Sequence, residues 1–293
     1  LQFGTAAATN YVFRVSGDVF VAGGRLSVGT SGTPIPGDST AVFEMDCGSN
    51  GQYKIHSTTN SIIEAYGSPR TAGKAVAWTV LTADEAAAAT VLDVAHDTGW
   101  KSGDEIIIFS TDRDVYTSTH HERRTLSGDA GASSLTIGAG LTYAHGGGVA
   151  DADVVAEVGL LTRNVTFRTT NSAFKSCIIG GNLWGDNKNS IYRFEWTAFQ
   201  YFGVNANPYY GAVGVDTAGA DFTFYMRYCS AYDGDRRFFS SDSGSYTNLS
   251  FLIEDCVGAG LWSFAFLYFA ANAGRYFLRR RYWTFRGTKR TCA

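Results

Sequence analysis

The stretch EVGLLTRNVTF, residues 157–167, joins two regions whose sequence patterns differ. It runs from an apolar segment through the polar pair Arg163 and Asn164 into a strand-like Val-Thr-Phe. We expect four apolar side chains to pack inward as the chain crosses this junction: Leu160, Leu161, Val165 and Phe167. We expect three polar side chains to tie the junction by charge and amide hydrogen bonds: Glu157, Arg163 and Asn164.

Before this junction, from Tyr11 to about Thr170, the chain alternates short apolar runs with glycine. The runs are four to eight residues long and rich in Val, Ile, Phe and Tyr, as in DEIIIFST at 104–111. Such runs bounded by turn residues predict β-strands. The Ala-rich segment TADEAAAAT at 82–90 has no apolar stripe, so it predicts at most one helical turn.

After the junction a looser repeat predicts a solenoid. Its units are RFEWTAFQYFG (193–203), YMRYCSAYDG (225–234), FLIEDCVGAG (251–260) and FLRRRYWTFRG (277–287). Taking Trp196, Cys229, Cys256 and Trp283 as equivalent gives spacings of 33, 27 and 27 residues. Strand-rich repeats of this length predict a parallel β-helix, in which each coil buries its apolar face against its neighbours. Cys229 should then stack beside Cys256 as a pair of free thiols.

Composition agrees with an all-β chain and excludes several classes of function. The 293 residues include 34 Gly and only 4 Pro, with 14% aromatic and 17% charged residues. With a net charge of −3, the chain has no overall positive potential that would attract nucleic acid. The 5 cysteines show no CxxC spacing, so we expect buried thiols, no metal and no cofactor. No apolar run is long enough for membrane insertion.

Six motifs occur in a fixed order: GGRLSVGTSGTPIPG (23–37), IIEAYGSPR (62–70), GWKSGDEIIIFST (99–111), ERRTLSG (122–128), LTYAHGG (141–147) and EVGLLTRNVTF (157–167). Together, over residues 11–167, they resemble the G-eight (eight-glycine) domain of fibrocystin and the cell-migration-inducing and transmembrane hyaluronidases. The resemblance implies a G-eight-like β domain at 1–167 and coils of a right-handed parallel β-helix, a pectate-lyase-like solenoid, at 168–293. It also implies an extracellular setting and a connection with glycans.

The catalytic part of that family is only partly present. The segment YCSAYDGDRRFF at 228–239 resembles its catalytic coil, which makes Asp233, Arg236 and Arg237 the candidate catalytic residues. However, YYGAVGVD at 209–216 has no histidine where the family has a histidine-bearing strand. In the alternative interpretation, Asp-Gly-Asp at 233–235 is simply a turn.

Exposed aromatic side chains offer another route to glycans, because flat rings stack on sugars. Four lie in turn-like contexts and are the candidate glycan-binding residues: Trp184, Tyr209, Tyr210 and Trp262. The alternative is that they pack within the coils.

The charged segment STDRDVYTSTHHERR at 110–124 could be a metal or glycan loop. Adjacent His120 and His121 would point to opposite faces of a strand, so sharing one ion is difficult. We therefore favour a polar connection in which Glu122 pairs with Arg123 or Arg124.

Three functions remain open. The first is a non-catalytic extracellular, cell-surface or virion β-helix that binds glycan or polysaccharide and forms a homo-oligomer or larger assembly. The second is a polysaccharide-degrading, hyaluronidase-like enzyme. The third is a purely structural filament or phage tail component.

Overall fold

In the part of the chain that the computed structural model describes, the regular secondary structure consists of β-strands joined by turns and loops. This part covers residues 2–3, 10–111, 120–181, 189–204, 211–216, 222–235, 238–241, 249–261, 266–267 and 275–279. The first seven strands are β1 (Gln2–Phe3), β2 (Tyr11–Val15), β3 (Val19–Val21), β4 (Arg25–Val28), β5 (Ala41–Met45), β6 (Ile55–Ser57) and β7 (Ile62–Tyr66). The next six are β8 (Trp78–Val80), β9 (Val91–Asp93), β10 (Glu105–Ile108), β11 (Glu122–Thr125), β12 (Ser134–Thr136) and β13 (Glu157–Leu160).

The last twelve strands follow the junction. They are β14 (Val165–Thr169), β15 (Ile178–Gly181), β16 (Ser190–Glu195), β17 (Thr197–Gln200), β18 (Val213–Asp216), β19 (Phe222–Arg227), β20 (Ser230–Tyr232), β21 (Phe239–Ser241), β22 (Leu249–Glu254), β23 (Val257–Ala259), β24 (Phe266–Leu267) and β25 (Arg275–Arg279).

Nineteen of these strands form three parallel sheets. Sheet A has the order β1-β4-β7-β16-β19-β22-β25, sheet B β2-β5-β14-β17-β20-β23, and sheet C β3-β6-β15-β18-β21-β24. The chain visits sheets B, C and A in turn, giving coil 1 (β2–β4), coil 2 (β5–β7), coil 3 (β14–β16), coil 4 (β17–β19), coil 5 (β20–β22) and coil 6 (β23–β25). Parallel crossovers are right-handed as a rule. The predicted right-handed parallel β-helix is therefore confirmed.

Residues 67–164 are inserted between coils 2 and 3, and we refer to them as the inserted module. Strands β8, β10, β11 and β13 form an antiparallel sheet, and β9 pairs with β12. On either side of it, β5 and β14 pair directly in parallel, with Phe43 opposite Phe167. The predicted domain boundary after residue 167 stays a prediction. Strand pairing runs across this boundary, because coils 1 and 2 belong to the same solenoid as coils 3 to 6.

An aromatic ladder inside sheet B holds this register. Phe13, Phe43, Phe167 and Phe199 occupy equivalent positions of β2, β5, β14 and β17. Their successive ring centroids lie 5.3, 5.4 and 5.5 Å apart, a spacing favourable for packed aromatic rings. Phe167 is fully buried, as are Leu160, Leu161 and Val165, so the predicted inward packing is confirmed.

Asn164, in the polar pair before β14, fixes the point at which the chain re-enters the solenoid from the inserted module. Asn164 donates from Nδ2 to the carbonyls of Ile35 and Pro36, both at 2.8 Å, and accepts from the Ser68 amide at 3.1 Å. Gly67 lies against it, because a Cβ there would sit 2.3 Å from Asn164 Oδ1. The predicted amide tie is confirmed.

The predicted repeat is correct for the cysteines and wrong by one residue for Trp196. Ser230 pairs with Val257, which places Cys229 beside Cys256, and both are buried free thiols. Ala198 pairs with Ser230, so Thr197 rather than Trp196 matches Cys229. Trp196 lies at the corner between sheets A and B, where it adopts a left-handed conformation, with φ of 48°. Trp283 lies outside the described residues.

We expect Phe167→Ala to lower the free energy of unfolding by about 3–5 kcal/mol, because it removes a fully buried ring from the ladder and leaves a cavity. Urea unfolding monitored by far-UV circular dichroism would measure this loss. Val12→Ala, at a position of the same sheet that is 61% exposed, should change stability by less than about 0.5 kcal/mol. Similar small losses for both variants would contradict the ladder's role.

Candidate functional site

The inserted module covers the outer face of sheet B over coils 4 to 6. One buried cluster joins module residues Ile107, Phe109 and Leu161 to solenoid residues Ala198, Tyr232, Val257 and Ala259. The contact is close at Gly159, where a Cβ would lie 2.6 Å from Val257 Cγ1. This face is therefore closed to a large ligand.

A buried arginine reinforces the contact. Arg163 Nε donates to the Tyr228 carbonyl at 2.6 Å, and its guanidinium lies 5.3 Å from the Trp196 ring centroid. Burial lowers the pKa of Arg163 to about 10. Ser230 Oγ donates to the Leu161 carbonyl at 2.6 Å from the solenoid side. Arg163 thus ties the junction as predicted, while a charge interaction of Glu157 stays a prediction.

The sequence-predicted catalytic residue Asp233 lies at the edge of the same contact. Its Oδ1 accepts from Arg123 Nη1 at 2.6 Å, and Arg123 Nη2 lies 2.6 Å from Glu105 Oε1. Burial opposes the charge on Arg123, but its bonds to Asp233 and Glu105 outweigh burial and raise the pKa of Arg123. Asp233 has a φ of 59°, as a turn residue would. It therefore ties coil 5 to the module, and its catalytic role stays a prediction.

The other predicted site residues lie outside the part of the chain that the structure describes. These are the candidate catalytic residues Arg236 and Arg237, and the candidate glycan-binding residues Trp184, Tyr209, Tyr210 and Trp262.

The outer face of sheet A carries charged and aromatic residues that the sequence reasoning missed. Glu195, Arg227 and Glu254 form one row across β16, β19 and β22, and Arg193 and Tyr225 belong to the neighbouring row. All five are partly exposed, in contrast to the buried sheet B positions beneath the module. The repeats contained the signal for the first row, because Glu195, Arg227 and Glu254 each directly precede a corner of the solenoid.

Hydrogen bonds and ion pairs fix the row. Tyr225 Oη donates to Glu195 Oε1 at 2.7 Å, and burial, helped by this bond, raises the pKa of Tyr225. Arg227 Nε lies 3.0 Å from Glu254 Oε2, and its guanidinium lies 4.6 Å from the Tyr228 ring centroid. The face therefore offers phenol, carboxylate and guanidinium groups in fixed positions.

Within the module, Glu122 is a buried side chain with several hydrogen-bond partners. It accepts from the amides of Thr142 at 2.7 Å and Tyr143 at 2.8 Å, faces His145 Nε2 at 3.0 Å, and pairs with Arg124. Burial alone would raise its pKa, but the hydrogen bonds with Thr142, Tyr143 and His145 outweigh burial and lower the pKa of Glu122 to about 2. The predicted Glu122–Arg124 pairing is confirmed.

Two further findings concern the described residues. They contain no group of three or more His, Cys, Asp and Glu side chains that could hold a metal ion. Among the same residues, no helix is long and apolar enough to cross a membrane.

Comparison with known proteins finds a partial match to a fibrocystin. No protein-family model matches the chain. Over 104 residues, 33% of the chain, it is 35% identical to Fibrocystin-L of Mus musculus. The chain spans only 2% of that protein's length.

Comparison with solved structures finds phage tailspikes. Tailspike gp49 of Pseudomonas phage LKA1 is 14% identical with a TM-score of 0.28, over 83% of this chain and 39% of that one. Tailspike gp61 of Pseudomonas phage phi297 is 12% identical with a TM-score of 0.27, over 76% and 38%. Tailspike gp54 of Acinetobacter baumannii phage AP22, solved with an A. baumannii capsular saccharide, is 8% identical with a TM-score of 0.25, over 82% and 53%. Scores this low carry no assignment of function.

We expect Arg123 and Asp233 to be energetically coupled. In a double-mutant cycle with Arg123→Met and Asp233→Asn, the coupling free energy from urea unfolding should be about 1 kcal/mol. Asparagine suits the comparison because it tolerates the left-handed backbone of residue 233. The exposed pair Lys74–Asp97 provides the control, with coupling near zero. A near-zero value for Arg123–Asp233 would refute the proposed tie.

We expect Glu122 to make stability depend on acidic pH. Its pKa is about 2 in the folded protein against an ordinary value of 4.5, so its contribution is complete above about pH 5 and is lost as pH falls toward 2. Glu122→Gln should lower the free energy of unfolding by about 3 kcal/mol at pH 7 and by much less at pH 3. Urea unfolding at both pH values tests this, with exposed Asp153→Asn as control. A pH-independent difference would contradict it.

Proposed function

We propose that this chain is a surface β-helix that binds a glycan without cleaving it, in an extracellular, cell-surface or virion setting. The observation that carries the proposal is the exposed outer face of sheet A over coils 3 to 5. Sheet B is covered by the module over coils 4 to 6, whereas this face keeps Arg193, Glu195, Tyr225, Arg227 and Glu254 partly exposed.

The chemistry of the face suits a saccharide. Carboxylates accept hydrogen bonds from sugar hydroxyls, guanidinium groups donate to their oxygens, and the Tyr225 ring offers an apolar surface. Within a row, neighbouring strands place successive side chains about 4.8 Å apart, so the face is an extended array suited to a linear chain. We include Trp184, Tyr209, Tyr210 and Trp262 among the proposed contacts on sequence grounds.

We further propose that the module and its flanking coils form a G-eight-like domain over residues 1–167, with the remaining coils at 168–293. The six ordered motifs support this, as does the similarity of a third of the chain to Fibrocystin-L. Assembly into an oligomer or larger structure remains part of the same proposal.

One observation favours polysaccharide hydrolysis as a second candidate. Glu195 and Glu254 lie on alternate strands of sheet A, which separates their backbones by about 10 Å. Inverting glycosidases hold two carboxyl groups about 6.5–9.5 Å apart. Against this, Glu195 accepts from Tyr225 and Glu254 pairs with Arg227, so each carboxylate already has a partner.

A glycan panel with matched variants tests the binding proposal. We expect Tyr225→Ala to weaken binding at least tenfold, or about 1.4 kcal/mol, in isothermal titration calorimetry. Tyr225→Phe keeps the ring and loses only the bond to Glu195, so it should bind nearly as well as the unmodified chain.

The same samples separate the two candidates. If the unmodified chain produces new reducing ends and the Glu195→Gln and Glu254→Gln variants do not, the function is hydrolysis rather than binding alone. If the Asp233→Asn variant produces none, Asp233 is a catalytic residue, as the sequence predicts. Unchanged affinity of Tyr225→Ala would remove sheet A as the binding face.

A further inference from the structure

A second polar surface lies on the outer face of sheet B over coils 1 to 3, which the module leaves open. In one row, Glu44 stands between Arg14 on β2 and Arg168 on β14. Arg14 donates from Nε at 2.9 Å and Nη2 at 2.8 Å to Glu44 Oε2, and Arg168 donates from Nε at 2.9 Å and Nη2 at 2.5 Å to Oε1. One carboxylate thus clamps two guanidinium groups.

The clamp leaves part of each arginine available. The Glu44 side chain is 4% exposed, whereas those of Arg14 and Arg168 are 59% and 42% exposed. A guanidinium carries five N–H donors, and the bonds to Glu44 use Nε and one hydrogen of Nη2. Each arginine therefore keeps the edge formed by Nη1 and Nη2 for a second acceptor, and the triad carries one net positive charge.

The next row supplies groups that bind hydroxyls. Asp46 accepts from Thr170 Oγ1 at 2.7 Å and from Ser16 Oγ at 3.2 Å, and all three residues are exposed. A ligand lying across both rows would therefore meet cationic edges beside a hydroxyl and carboxylate row. The Asp46 carboxylate also limits how much negative charge the surface can accept.

We propose that Arg14 and Arg168 form a binding site for a carboxylate-bearing saccharide, distinct from the sheet A face and resting on the proposed function for the ligand class. Paired N–H groups on a planar edge match the two oxygens of a carboxylate. Asp46, Ser16 and Thr170 match the hydroxyls of the same sugar. A nucleic acid fits less well, since it requires a broad positive field, and this chain has a net charge of −3 with Asp46 beside Arg14.

The test compares hyaluronan oligosaccharides with the same oligosaccharides after carboxyl reduction, using calorimetry on the full chain. We expect the acidic form to bind at least tenfold more tightly. Arg14→Gln combined with Arg168→Gln should abolish that preference, and Arg168→Lys should weaken it, because lysine keeps the charge but not the planar edge. Tyr225→Ala should keep the preference even if it lowers affinity for both forms.

Each contrary outcome has a distinct meaning. Equal binding of the acidic and reduced forms would overturn the carboxylate site while leaving glycan binding intact. Binding of neither form would overturn the site and count against the proposed function as well. Displacement of hyaluronan by a single-stranded oligonucleotide at equal charge concentration would show that the site recognises polyanions in general rather than an acidic saccharide, which would overturn the proposal. A preference retained by the double variant, with unfolding curves confirming its fold, would remove Arg14 and Arg168 from the site.

Discussion

The register between β5 and β14 is the constraint on which the rest of the structure depends. Phe43 stacks on Phe167 at 5.4 Å although 124 positions separate them in the chain. Closing a flexible loop of that length costs about 4 kcal/mol in chain entropy beyond the constant for any closure. The inserted module reduces this cost by folding on itself, since its antiparallel sheet brings β8 next to β13, close to the two ends of the insertion.

The same register decides which faces can serve a ligand. Because the chain re-enters through Arg163 and Asn164, the module is held against sheet B on the later coils, where Ile107 and Leu161 pack on Val257. Sheet A over coils 3 to 5, and sheet B over coils 1 to 3, keep accessible polar side chains. Both proposed binding surfaces are thus the faces left free by the placement of one insertion.

The sequence predicted the strands, the repeat and the junction, but it could not predict where the solenoid begins. Residues 11–66 and the module share the same short apolar runs, and alternation along a strand does not reveal whether its partner is parallel or antiparallel. The sequence repeat aligns Trp196 with Cys229, one residue away from the correct Thr197, because a bulky residue at a corner cannot be distinguished by sequence from one inside a coil. A register shifted by one residue would have revealed Glu195, Arg227 and Glu254 as one row.

The Arg14–Glu44–Arg168 triad lies beyond local pattern, since its members are 30 and 124 positions apart and the second interval contains the whole module. Such a site becomes visible only once coils 2 and 3 are known to be neighbours. Asp233 shows the converse case, because its sequence context resembles a catalytic coil while its geometry is that of a tie.

A catalytic role for Asp233 would conflict with that tie. A catalytic carboxylate must come within hydrogen-bonding distance of its substrate, which requires a carboxylate oxygen that faces the ligand. Asp233 Oδ1 instead accepts a hydrogen bond from Arg123 Nη1 at 2.6 Å, within the contact between the module and coil 5. Turning the Asp233 carboxylate toward a ligand would leave the partly buried Arg123 with Glu105 as its remaining carboxylate partner and weaken the contact between module and coil 5. The coil that resembles a catalytic one therefore has, in Arg123, a partner that suits docking, and catalysis at this position would require the module to move away.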